Sequence, residues 1–178
     1  VRGQVEVATT DGQIVSIDLE PPDPPVSDDA LTAIAEADWV VLGPGSWFSS
    51  VLPHLRVAAL REAIEQTSAR VVVVLNLAGE AGETGGFDPA DHLRVLSEHA
   101  PSLRVDAVLA DPRDVDDAQI ADLRAAVHAL GGTLVLADVA VGDGTARHDP
   151  EKLAEAYAHV FAGPGEDAHD VPAPSGDR

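Results

Sequence analysis

The chain has 178 residues, with 31 acidic against 11 basic side chains and a formal net charge of −20. That length suits one compact domain, and so acidic a surface repels nucleic-acid phosphates and anionic lipid, so neither is expected as a partner. With no cysteine, disulfides, thiolate zinc sites and cysteine nucleophiles are excluded.

Hydrophobic residues make up 45% of the chain but aromatics only 3%, so the core must be built from Val, Leu, Ile and Ala. This suits buried parallel strands under Ala-rich helices. No apolar run approaches the roughly 18–20 residues of a membrane span, and no signal peptide opens the chain, so the cytoplasm is the expected location. The chain starts at Val1 and contains no Met, from which a longer natural protein with an N-terminal part is expected.

In chain order, Val5 and Val7, then Ile14, Val15, Ile17 and Leu19, flank Asp11-Gly12, a dipeptide that favours tight turns and predicts an antiparallel hairpin. Pro21-Pro22-Asp23-Pro24-Pro25 follows as a stiff connector. Ser27 is a candidate N-cap for a short helix with Leu31, Ile34 and Ala35 on one face. Trp39 to Leu42 reads as a buried strand running into Gly43-Pro44-Gly45-Ser46. A helix over about Pro53–Thr67 turns Leu52, Ala59, Leu60 and Ala63 towards the sheet, and Arg70 to Leu77, with four consecutive valines, is the central strand.

A glycine-rich loop, Gly79 to Gly86, leads to Pro89 as the first residue of a helix ending near His99. Strands are predicted over Leu103–Leu109 and Thr133–Val139, with a helix from Asp116 to about Leu130 between them. Pro150 opens a last helix with Leu153, Ala156, Tyr157, Val160 and Phe161 on one stripe. Residues 163–178 read as a disordered acidic tail rich in Pro and Gly. The fold class is therefore α/β: a Rossmann-like, mostly parallel sheet with helices on both faces and an N-terminal hairpin. Ligands of such sheets lie beyond the C-terminal ends of the strands.

Three constellations could carry chemistry. The first is Gly43-Pro44-Gly45-Ser46-Trp47-Phe48-Ser49-Ser50, where two glycines allow close approach to the backbone and Ser46, Ser49 and Ser50 offer hydroxyls to an anion. A tight strand–helix turn would use the same glycines for geometry alone. The second is Asn76 with Gly82-Glu83-Thr84-Gly85-Gly86 and Asp91-His92. Asn76 stands where an amide could read a base or sugar, and Thr84 could line the same crevice. His92 is a ligand contact or a helix-capping side chain, and Glu83 is the one candidate for acid–base work. The third is Arg147-His148-Asp149, whose arginine can grip a phosphate bidentately or pair with a neighbouring acid. The seven histidines are scattered, and no metal site is expected.

These motifs resemble the gluconeogenesis-factor (YvcK/CofD-like) family. Leu42 to Pro53 is similar to its Gly-Pro-Gly-Ser-Leu-Tyr-Thr-Ser stretch, Asn76 through Asp91-His92 to its Asn…Gln-Pro-Gly-Glu-Thr…Asp-His run, and Arg147-His148-Asp149 to its Arg-His-Asp segment. The resemblance covers about Val1 to Phe161 and implies a Rossmann-like domain, residues 1–162 being the C-terminal part of the family fold. The composition resembles an actinobacterial version. One branch, 2-phospho-L-lactate transferase, takes a guanylyl diphosphate donor and a deazaflavin acceptor, with a divalent metal. The other branch binds UDP-sugars, notably UDP-N-acetylglucosamine, and affects cell shape, cell-wall (peptidoglycan) synthesis and gluconeogenic growth. The Arg-His-Asp segment favours the second, which implies ligand contacts from Gly43, Gly45, Ser46, Ser49, Ser50, Asn76, Thr84, His92 and Arg147, and no cofactor. It also implies a Ser/Thr kinase and the cell-wall synthesis machinery as partners, and a homodimer is open. The chain departs from the pattern in lacking the opening Gly-Gly-Gly-Thr-Gly turn, in Glu80-Ala81 for Gln-Pro, and in Pro150 where the phosphorylated Thr would stand; Thr145 is the nearest alternative.

Overall fold

A computed structural model describes residues 1–8, 14, 16–77 and 84–163. In chain order the elements are α1 (Gln4–Ala8), α2 (Asp28–Glu36), β1 (Trp39–Leu42), a π-helical turn (Trp47–Val51), α3 (Leu52–Arg56), α4 (Ala58–Gln66), β2 (Arg70–Val74), α5 (Pro89–His99), β3 (Ala107–Ala110), α6 (Gln119–Ala129), β4 (Thr133–Leu136) and α7 (Pro150–Ala162). The strands lie side by side in the order β1-β2-β3-β4, and every pairing is parallel.

Side chains alternate across the sheet, so each valine-rich strand feeds two cores. Val71, Val73, Val108 and Ala110 face a layer with Leu55 of α3, Ile64 of α4, Leu93 and Leu96 of α5, and Leu123 and Val127 of α6. On the opposite face Val74 and Leu109 meet Ala156, while Val72 and Ala107 meet Val160, both from α7. Helices thus cover both faces, as the sequence predicts.

The helix ends follow local chemistry. The Ser27 side chain accepts from the Ala30 N–H and caps α2. Asp88 and Asp91 form a reciprocal capping box on α5, with Pro89 at the first helical position. Asp149 caps α7 by accepting from the N–H groups of Glu151 and Lys152.

Three expectations change. The opening segment with Val5 and Val7 is α1 and not a strand; Ile14, Ile17 and Leu19 are in no strand, and the Asp11-Gly12 turn and Val15 lie outside the described residues. A lone two-stranded hairpin is marginal in water, and α1 gains an anchor instead, with Gln4 Nε2 donating to the Ser49 carbonyl at 2.9 Å. The helix expected over Pro53–Thr67 breaks at Val57, which is buried with extended backbone. That break turns Ile64 inwards and leaves Ala59 exposed; Ala35 of α2 is exposed too. The strands are also shorter than their apolar runs, because Leu75, Leu77, Leu103, Val105 and Val139 are buried without belonging to the ladder.

Gly43, at the exit of β1, has φ +86°, and a Cβ built there would fall 2.6 Å from the Val74 carbonyl oxygen. Left-handed backbone and backbone overlap add. Gly43→Ala should therefore lower stability by about 2–4 kcal/mol, read from the urea midpoint at unchanged slope.

Candidate functional site

The site is assembled at the C-terminal ends of the four strands, beginning with the loop after β1. Several of its polar groups bond within the fold. The Asn76 amide grips Gly45 reciprocally: Gly45 N–H donates to Asn76 Oδ1 at 2.9 Å, and Asn76 Nδ2 donates to the Gly45 carbonyl at 2.8 Å. The Ser46 and Ser49 hydroxyls bond each other at 2.5 Å, and the Ser46 carbonyl accepts from the N–H groups of Ser50 and Val51. Trp47, Phe48 and Ser49 are buried, and Ser50 is half-buried. Trp47 and Phe48 are therefore core residues, and the loop is a fixed wall bolted to the end of β2.

Asn76 and His92 meet at one small cavity of about 100 Å³, which Leu75, Ala110, Asp111 and Asp114 also line. His92 projects from the first turn of α5, its Nδ1 lying 3.1 Å from the Asp88 carbonyl oxygen. Its ring stands edge-on to Trp47 at 5.3 Å and to Phe87 at 5.4 Å. Burial pushes its pKa below the ordinary histidine value, against the Asp88 carbonyl and the charges of Asp91 and Asp88. His92 is thus both a packed ring and a cavity wall. Thr84 is buried, and its carbonyl accepts from the Phe87 N–H. Glu83 lies outside the described residues, as do Gly82 and Glu80-Ala81.

The Arg-His-Asp segment divides its labour. Arg147 and Asp149 pair in antiparallel fashion with the exit of β4: Val141 N–H donates to the Arg147 carbonyl, and Asp149 N–H donates to the Val139 carbonyl. His148 points inwards with its Nε2 buried and unpaired among the described residues. Burial lowers its pKa, opposed by the Leu75 carbonyl and the Asp111 charge. Only the Arg147 side chain faces out, 68% exposed, within 3.3 Å of Asp143 and of the Thr145 hydroxyl. Such an exposed pair contributes little to stability.

Sequence reasoning missed the polar centre of this region. Asp111, at the end of β3, is 2% exposed. Its two oxygens accept from the Arg113 N–H, Nε and Nη2 and from the N–H groups of Val139 and Ala140, all at 2.8–3.1 Å. Arg113 continues to Asp138, and Lys152 of α7 also reaches Asp138. The signal available was an acid closing an apolar run, Ala107 to Asp111, at a strand's C-terminal end. A second cavity of about 360 Å³ adjoins this network, bounded by Leu77, Arg113, Asp114, Gly142, Gly144 and Thr145. A cavity of about 540 Å³ lies at the opposite, N-terminal end of the strands, by Trp39, Arg70 and Asp106. Its size does not make it the site, since parallel sheets bind at their C-terminal ends. Among the described residues no three His, Asp or Glu gather to hold a metal ion.

Burial opposes ionisation of Asp111, but the Arg113 side chain and the donated backbone N–H groups win and hold its pKa well below the usual carboxylate range. Its stabilising effect is therefore complete above the unfolded-state value near 4 and lost as pH falls through the lower folded value. Asp111→Asn should cost about 2–3 kcal/mol at pH 7, and its deficit against the unaltered chain should shrink steadily below pH 4 in chemical denaturation.

No helix among the described residues is long and apolar enough to cross a membrane. The family described as 2-phospho-L-lactate transferase CofD matches residues 1–156. A Mycobacterium tuberculosis protein named "Putative gluconeogenesis factor" is 47% identical over 163 residues, covering 91% of this chain and 47% of that protein. A Nostoc protein of the same name is 33% identical over 177 residues, covering 92% of this chain and 39% of its own length. The chain thus spans less than half the length of these relatives. A crystal structure of a UPF0052 family protein from Bacillus halodurans superposes with a TM-score of 0.74 at 31% identity, over 88% of this chain and 54% of that one. With its parallel sheet and its sequence agreeing, the chain belongs to the CofD family and is similar to proteins named gluconeogenesis factor.

Proposed function

We propose that this chain is the nucleotide-sugar-binding part of a regulatory gluconeogenesis factor, with a UDP-sugar such as UDP-N-acetylglucosamine as ligand. The observation that carries the reading is the alignment of the site along the strand ends. Gly45, Asn76 with His92, Asp111 with Asp114, then Thr145 and Arg147 follow the order β1 to β4, and two adjoining cavities share Asp114. An elongated ligand with a ring at one end and phosphates at the other suits this shape. In this reading the pyrimidine lies by Asn76 and His92, and the diphosphate extends towards Arg147. A protein that senses such a ligand would report it to the cell-wall synthesis machinery and influence cell shape and growth on gluconeogenic carbon. The name of the mycobacterial and Nostoc relatives, "Putative gluconeogenesis factor", supports the link to gluconeogenic growth.

The family's transferase description favours a second reading, transfer of a phospholactate group from a guanylyl diphosphate donor to a deazaflavin. That chemistry would call on a divalent metal to offset phosphate charge. The carboxylate best placed for one, Asp111, already accepts five hydrogen bonds, so the described residues do not fit a metal there.

Calorimetric titration of UDP-N-acetylglucosamine and GDP, into this chain and into the full-length Mycobacterium tuberculosis relative, separates the readings. Saturable binding of the UDP-sugar is expected. Arg147→Ala should abolish it with melting temperature unchanged, since the residue's structural bonds are made by its backbone. Preference for GDP, or unaltered affinity in the variant, would overturn the assignment.

A further inference from the structure

The geometry points to Arg113 as a second, pre-aimed anion contact of this site, reading a phosphate oxygen of the ligand from the opposite wall to Arg147. This rests on the nucleotide-sugar reading and adds a residue to it.

The argument begins with how Arg113 is held. Long cationic side chains normally wander, and ordering one on a ligand costs rotamer entropy. Here two of the three guanidinium nitrogens are already committed. Nε donates to Asp111 Oδ1 at 3.0 Å and Nη2 to Asp111 Oδ2 at 2.8 Å, a fork-on-fork pair with a carboxylate that is itself buried. Nη2 also reaches Asp138, which Lys152 of α7 holds from the other side. The guanidinium plane is therefore fixed by both β3 and α7, while its side chain remains 46% exposed.

The third nitrogen, Nη1, has no partner among the described residues. It lies beside Gly142, where an added Cβ would stand 3.6 Å away, and Gly142 with Gly144 and Thr145 lines the 360 Å³ cavity that Arg113 bounds. Asp114 and Thr145 also line this cavity. Across the cavity, Thr145 bonds to Arg147, so two guanidinium groups bracket the same five-residue loop. Asp138 and Asp111 offset the charge of Arg113, and what it offers is a directed pair of N–H donors. That is the form in which a fixed arginine recognises one oxygen of a phosphate or carboxylate. Burial and the Asp111 charge raise the pKa of Asp114, against the lowering effect of the Arg113 charge.

The test observes the arginine itself. In ¹⁵N spectra of the arginine side chains, the Arg113 resonance, assigned by its absence in Arg113→Lys, is followed on titration with UDP-N-acetylglucosamine and, separately, with inorganic pyrophosphate. Both should shift it. Arg113→Lys keeps a charge near Asp111 but loses the fork, and should weaken UDP-N-acetylglucosamine about ten-fold while leaving uridine, which has no phosphate, unchanged. Saturable UDP-sugar binding with an unmoved Arg113 signal and full affinity in the lysine variant would overturn this inference and spare the proposed function. A pyrophosphate shift without UDP-sugar binding would sink the proposed function and keep the anion contact. No saturable UDP-sugar binding, together with an Arg113 signal unmoved by either probe, would sink both.

Discussion

The buried carboxylate of Asp111 is the point on which the strand-end architecture depends. A parallel sheet must turn each strand's C-terminal end into a loop, and those loops have no ladder to hold them. Asp111 supplies the missing acceptors: its oxygens take the Val139 and Ala140 N–H groups beyond β4 and the Arg113 fork beyond β3. Through Arg113, Asp138 and Lys152 the same network reaches α7 on the other face of the sheet. A charge this deeply buried is tolerated because every oxygen is satisfied. It fixes where residues 139–149 leave the sheet, and so where Arg147 can stand.

The opposite end of the crevice uses a neutral counterpart of this device. The Asn76 side chain closes a two-bond ring on Gly45, and the Ser46 and Ser49 hydroxyls bond each other. A segment rich in glycine and serine can cradle an anion only if its donors are left facing outwards. Here the Gly45 N–H is spent on Asn76 and the Ser46 and Ser49 hydroxyls on each other, while Ser49 and Ser50 also border a cavity of about 590 Å³. On the far side Arg113 and Arg147 are each held by a carboxylate. This arrangement suits a protein with net charge −20, where an unbraced cation would pair with whichever acid lay nearest.

Much of the fold was readable in the sequence. The four-valine run of β2, the apolar stripe of α7 and the caps at Ser27 and Asp88 are local signals, and they predict local structure. The expected N-terminal hairpin gives way to α1, because a turn signal such as Asp11-Gly12 carries no information on the sheet its strands must join. The helix over Pro53–Thr67 failed because periodicity does not register a break at a buried Val57. In the site, Gly45, Asn76, His92 and Arg147 were found as residue types near strand ends, but Asn76 and His92 have structural partners that no spacing discloses.

The sequence by itself determined the class of fold, the alternation of strands and helices from α2 to α7, and the family. Each follows from periodicity, turn chemistry or motifs written within about a dozen neighbouring residues. Only the tertiary structure decided how the polar groups are partnered: that Asn76 clamps Gly45, that His148 turns its Nε2 inwards while Arg147 is exposed, and that Asp111 holds Arg113. Those outcomes depend on contacts between residues some thirty positions apart, Gly45 with Asn76 and Asp111 with Val139. A hydrogen bond is directional and short, so its partner is set by where the chain brings two atoms and not by which residues the chain contains.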